Sequence, residues 1–217
     1  MKQSRFEKQL IALNEQMVQM GSMVEQSIEM VASALVKQDT EKADQVIEYA
    51  TDVSNQARQI EGMCMKLLLC QQPVARDLRM ISSALKMITD MERIAVQSAE
   101  ISELTIRMAQ TPYIKKLEHV QEMAKETILM VVKSIEAFVN RDLEQAQGVI
   151  EMDDIVDDLF ISIKNELIQM INADQRNGEQ ATDLLMIGKY FERIGDHAVN
   201  IAQWVTYSIT GEHGEIN

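Results

Sequence analysis

Seven residues of one segment recur further along the chain at a single spacing. Val36, Asp39, Glu41, Ala43, Val46, Ile47 and Glu48 stand opposite Val139, Asp142, Glu144, Ala146, Val149, Ile150 and Glu151, each pair 103 positions apart. A second set, Leu85, Glu92, Arg93, Ile94 and Ile101, stands opposite Leu185, Glu192, Arg193, Ile194 and Ile201 at a spacing of 100. Self-similarity at a nearly fixed period means one structural unit used twice. The drop from 103 to 100 removes three residues between the last two helices of the second copy, where Asn172 to Gly178 reads as a loop.

The repeated unit is helical. Phe6, Leu10, Leu13, Met17, Met20, Val24, Ile28, Val31 and Leu35 form an apolar stripe with steps of three and four, the mark of a long amphipathic helix. It stops at Lys37–Gln38, and Asp39 is an N-cap for a second helix carrying Val46, Ala50, Val53, Ala57, Ile60, Cys64 and Leu67. Pro73 is placed to open a third, since a first turn does not need its missing N–H. That helix carries Leu78, Ile81, Leu85, Ile88, Ile94 and Ile101 and ends before Thr111–Pro112. The expected fold is all-α: two tandem three-helix bundles of up-down-up topology, residues 1–110 and 111–217, six long helices in all. The tail from Thr210 to Asn217 reads as frayed.

Composition agrees. Only 8 Gly and 2 Pro occur among 217 residues, which excludes low-complexity linkers and turn-rich β folds. The 21 basic and 34 acidic residues leave a net charge of −13, a field that repels nucleic acid and anionic lipid and favours cations or basic surfaces as partners. Cys64 and Cys70, six apart on a helix, suit neither a disulfide nor a chelate and read as buried, reduced thiols. No run approaches the ~18 apolar residues of a membrane span, and Met1 to Arg5 lead into an amphipathic stripe, so the expected address is the cytoplasm.

Enzymatic patterns are missing. His119, His197 and His213 each lack a Glu three residues before them, so the Glu-x-x-His pairs of ferritin-like di-iron oxidases are absent, as are phosphate loops and nucleophile elbows. Two acid-x-x-x-acid spacings stand out in the second repeat: Asp153 with Asp157, and Glu192 with Asp196. Residues four apart share a helix face, and paired carboxylates repel unless a cation binds both. Asp153 occupies a stripe position (Val149, Asp153, Val156, Phe160, Ile163, Leu167, Met170) whose first-repeat counterpart is Ala50, and a carboxylate at a core edge needs a proton, a countercharge or a metal. Glu192 and Asp196 project away from the stripe Leu184, Ile187, Phe191, Ile194, Ala198, Ile201, Val205, so a metal there is expected to lie open to solvent. The same acids also fit a plain solvated face and His197 a surface or packing role, while Arg93 and Arg193 have the chemistry to grip a phosphate but better fit ion pairs with nearby acids on the helix surface. The 16 methionines read as pliable core or interface filler, and Gly195, opposite Ala95, as a small-residue packing position.

The segment Glu192-Arg-Ile-Gly-Asp196-His-Ala-Val-Asn200-Ile-Ala, with Val149-Ile-Glu-x-Asp153-x-x-x-Asp157 and Gln72-Pro73-Val-Ala-Arg-Asp77-Leu-Arg upstream, resembles the PhoU family, and the likeness spans nearly the whole chain. The resemblance implies a cytoplasmic, often dimeric, non-catalytic regulator that restrains phosphate uptake and the phosphate-starvation response. It implies work with the cytoplasmic ATPase of the high-affinity phosphate ABC transporter and with a sensor histidine kinase, and membrane proximity through those partners only. It also implies cation binding (Fe, Zn, Mn or Mg) at the motif positions Asp153, Asp157, Glu192 and Asp196. The first repeat departs from the pattern, with Ala50 and Ser54 on its second helix and Val96 four residues after Glu92, so any metal is expected in the second repeat alone. A metal-storage or metal-sensing bundle is the alternative.

Overall fold

The computed structural model describes residues 5–70 and 73–212. Its helices are α1 (Arg5–Lys37), α2 (Thr40–Cys70), α3 (Ala75–Met108), α4 (Glu118–Asn140), α5 (Leu143–Glu151), α6 (Asp153–Ala173) and α7 (Gly178–Thr210), with a 3₁₀ turn at Gln175–Asn177. The first repeat is α1–α3, and the second is α4–α7, its middle helix delivered in two pieces. Among the described residues there is no strand, and no helix is long and apolar enough to cross a membrane.

The repeats are joined through their third helices. Asp90 faces Asn200, Glu100 faces Tyr190 and Arg107 faces Asp183, with hydrogen bonds of 3.2, 3.3 and 3.2 Å. As the α3 position advances its α7 partner retreats equally, so the two helices run antiparallel. The repeat offset exchanges the pair 90/200 with the pair 190/100, so the copies are related by a pseudo-two-fold axis crossing this seam. Both apolar stripes therefore merge into one core, in which Met17, Met20, Met87, Met91, Met123, Met130 and Phe191 are fully buried. Burying each such side chain contributes about 1.5–3 kcal/mol.

Duplication also reaches the turns. Gln38 and Arg141, equivalent positions, are among the described residues the non-glycine ones with positive φ, 52° and 56°, the left-handed conformation that ends a helix. Each is followed by an aspartate that caps the next helix: Asp39 Oδ1 accepts from Lys42 N and Asp142 Oδ1 from Gln145 N, both at 3.0 Å. Asp39→Ala is expected to cost about 1 kcal/mol, read as a lower urea midpoint at unchanged slope.

Several boundaries differ from the sequence reading. Pro73 stays outside α3, because the extended Val74 (φ −76°, ψ 166°) is the N-cap and the first helical residue is Ala75. The expected loop at 172–178 is shorter, since α6 continues through Ala173 and Asp174 caps the 3₁₀ turn by accepting from Arg176 N at 2.9 Å. Thr210 is helical rather than frayed, and α7 ends at Gly211 with φ 80°. Cys64 is buried and free. The side chain of Cys70, Gln72, and 213–217 with His213 lie outside the described residues.

Candidate functional site

The fifth helix breaks immediately before the first candidate ligand. Met152 N–H donates to Val149 O and Ile155 N–H to Met152 O, both at 3.1 Å, three-residue bonds that tighten the chain and close α5. Asp153 then opens α6. The first-repeat equivalent, α2, runs unbroken through Ala50.

Across from the break, Gly188, Glu192 and Gly195 share one face of α7 at spacings of four and three. A Cβ at Gly188 would meet the Phe160 ring at 3.3 Å, and one at Gly195 would meet Asp153 Oδ1 at 3.0 Å and Val156 at 3.4 Å. The missing side chains are what let α6 press onto α7 and seat Asp153 against its backbone. Asp153 Oδ1 is buried there with no hydrogen-bond partner. Burial first, and then repulsion from Asp157, Asp196, Glu192 and Asp154, together push its carboxyl up to about 6. Asp157 is raised too, by burial and by Glu192, with Lys189 opposing.

The four carboxylates singled out by spacing are thus brought into one electrostatic cluster by α6 and α7. The solvent-open expectation holds for Asp196 but not for Glu192, whose side chain is only 15% exposed. The close approach of α6 over the glycine face covers it. Lys189 Nζ, 5.5 Å over the Phe160 ring, forms an ion pair with the Glu192 carboxylate. Lys189 and Asp154 were not singled out by the sequence reading, although Lys189 stands one position from the Gly188–Glu192–Gly195 spacing that marks the contact.

Carboxylate oxygens, here including the buried Asp153 Oδ1 that has no hydrogen-bond partner, are the donor type that hard or borderline cations take. Among the described residues no three His, Cys, Asp or Glu side chains already converge as a ligand set. A cation would have to draw the carboxylates together and compete with Lys189 for Glu192.

His197 is placed elsewhere. Its Nδ1 lies 2.9 Å from Asp90 Oδ1, which also accepts from Asn200, on the α3 side of α7. Asp90 was missed because its role depends wholly on that long-range pairing. Arg193 stacks 5.9 Å over the Tyr190 ring instead of forming an acid pair among the described residues. In the first repeat, Glu92 lines a recess of about 130 Å³ together with Arg58, Glu61 and Thr89, and a guanidinium in that lining disfavours a cation.

Comparison with known proteins gives the family of the chain. The PhoU domain model matches residues 17–105 and again 120–205, one match in each repeat. The chain belongs to the PhoU family. It is 33% identical over 213 residues to the phosphate-specific transport system accessory protein PhoU homolog of Clostridium acetobutylicum, covering 98% of this chain and 97% of that protein. It is 34% identical over 186 residues to the homolog of the same name from Aquifex aeolicus, covering 86% and 84%. The crystal structure of PhoU from Pseudomonas aeruginosa superposes with a TM-score of 0.91 at 28% identity, covering 96% of this chain and 100% of that one. The PhoU structure from Streptococcus pneumoniae, at 24% identity and a TM-score of 0.90, shares the fold.

Proposed function

We propose that this PhoU-family chain is a non-catalytic cytoplasmic regulator of phosphate uptake, restraining phosphate-starvation signalling by linking the transporter's ATPase to a sensor histidine kinase. The observation that carries the reading is near full-length similarity to proteins named as accessory to the phosphate-specific transport system. A chain of net charge −13 is in keeping with docking onto basic partner surfaces, and homodimerisation belongs to the same proposal. The test is deletion of the gene in its host together with affinity capture of the tagged protein. Starvation genes expressed in phosphate-replete medium, with the ATPase and kinase in the captured fraction, are the expected result. Normal repression without the gene would remove the regulatory reading.

A cation (Fe, Zn, Mn or Mg) held by Asp153, Asp157, Glu192 and Asp196 forms a further part of the proposal. Such an ion would neutralise the mutual repulsion of these groups and pin α6 to α7, so that metal status sets the shape of the second repeat. Elemental analysis of protein purified without chelator or metal-affinity resin is expected to find metal in the parent and none in Asp153→Ala/Glu192→Ala. Glu92→Ala should keep it. Full metal content in the double variant would overturn the site.

A further inference from the structure

The pseudo-two-fold axis supplies an internal comparison between the C-terminal ends of α3 and α7. At the end of α3, Gln38 Nε2 donates to Met108 O at 3.2 Å and to Thr111 O at 2.8 Å. At the end of α7 the equivalent residue, Arg141, donates from Nη2 to the equivalent carbonyl, Ser208 O, at 3.4 Å. A neutral glutamine therefore suffices for the capping job in one copy.

The second copy places far more charge in that position. Burial lowers the proton affinity of Arg141, and repulsion from Arg76 and Arg79, in the first turns of α3 and close to it, lowers it further, with no acid offsetting it. Arg79 packs its Cδ, Nε and Cζ 3.4–3.5 Å from where a Gly211 Cβ would stand, and its buried Nε has no hydrogen-bond partner. Among the described residues no acidic side chain pairs with any of the three arginines; the acid pairs go to Arg107, Lys115, Lys116, His119, Arg176, Lys189 and His197. In the other copy the positions equivalent to Arg76 and Arg79 are Arg176, already paired with Asp174 at 2.8 Å, and the acid Glu179. A helix C-terminus presents roughly half a negative charge, enough to account for one guanidinium but not for three.

We propose that Arg76, Arg79 and Arg141 form a site for a small phosphoryl oxyanion, such as inorganic phosphate or pyrophosphate. Planar guanidinium forks match the several oxygens and multiple charge of a phosphoryl group, whereas a carboxylate offers two oxygens and one charge. The site stands at the far end of the α3–α7 seam in chain order from Arg107–Asp183, on a chain whose overall field repels anions, so occupancy requires this local concentration of positive charge. The proposal does not depend on the regulatory reading or on the carboxylate cluster.

Titration calorimetry at physiological ionic strength, with pyrophosphate and inorganic phosphate as probes, tests it. Saturable binding is expected in the parent. Arg76→Gln and Arg141→Gln should each weaken it at least tenfold, while Arg193→Gln and Asp153→Ala/Glu192→Ala leave it intact. Arg76 is exposed, and Arg141→Gln copies the left-handed glutamine already present at position 38, so circular dichroism should show both variants folded. No saturable binding in the parent, or parent-like binding in both arginine variants, would overturn the site. Binding confined to phosphatidylglycerol vesicles, with none to the soluble anions, would also overturn it and assign the arginines to a membrane surface.

Discussion

In chelator-treated protein at about pH 7.5, Asp153→Asn should be more stable than the parent, and that advantage should vanish by about pH 4. The Asp153 carboxyl titrates near 6 in the folded chain against 3.8 for the free group. Below the unfolded value both states are protonated and the group costs nothing. As pH rises from there to about 6 the unfolded chain releases its proton while the folded chain retains it, so stability falls through this window. Above it the full cost of a half-buried, repelled carboxylate persists. A shift of about two units corresponds to at most ~3 kcal/mol, and partial solvent screening reduces the expected gain to about 1–2 kcal/mol. The amide keeps the shape of the carboxylate and removes its charge. Urea unfolding of both proteins at about pH 4, 5, 6 and 7.5 is the check, and equal or lower stability of the variant at the highest pH would refute the electrostatic account. Added Mn or Zn should reverse the order, because only the parent retains a full carboxylate set for the ion to neutralise.

The parts of the molecule written in one helix were legible, and the parts created between helices were not. The stripe from Phe6 to Leu35 announces α1 because each apolar step follows the helical period, and the duplicated Asp39 and Asp142 announce the turns because an N-cap is a local interaction. The break at Met152 has no such signal. Glu151, Met152, Asp153 and Asp154 include no proline or glycine to announce it. The sequence stripe puts Glu192 on the solvent side because one apolar stripe defines one buried side, while α7 packs against α3, α4, α5 and α6. The glycines at 188 and 195 were the available cue, since two small residues flanking an acid on one face mark a close helix approach. Spacing alone identified the four carboxylates, but their mutual repulsion required α6 and α7 to be set side by side. The arginine cluster is harder still, because Arg141 is remote in sequence from Arg76 and Arg79 and meets them only through the fold.

Phe191→Ala should produce the largest loss of stability among these substitutions, about 3–5 kcal/mol. Phe191 is fully buried, lies at the middle of α7 and belongs to the continuous core that joins both repeats. Removing the ring deletes buried apolar area and leaves a void that long helices, held at both ends by caps and turns, fill only in part. A domain with a stability of 5–15 kcal/mol survives such a loss narrowly. Phe191→Leu, which retains most of the volume, should cost less than half as much. Urea unfolding distinguishes the outcomes: a lower midpoint at unchanged slope means the whole chain still unfolds as one unit, as a merged core requires. A split transition, with one repeat outlasting the other, would mean the α3–α7 seam does not couple the copies. The neighbour of this residue is Glu192, so loosening α7 at Phe191 should also blunt the pH dependence assigned to Asp153. That dependence rests on α6 and α7 being held together, and its decline in Phe191→Ala would tie the carboxylate cluster to the core beneath it.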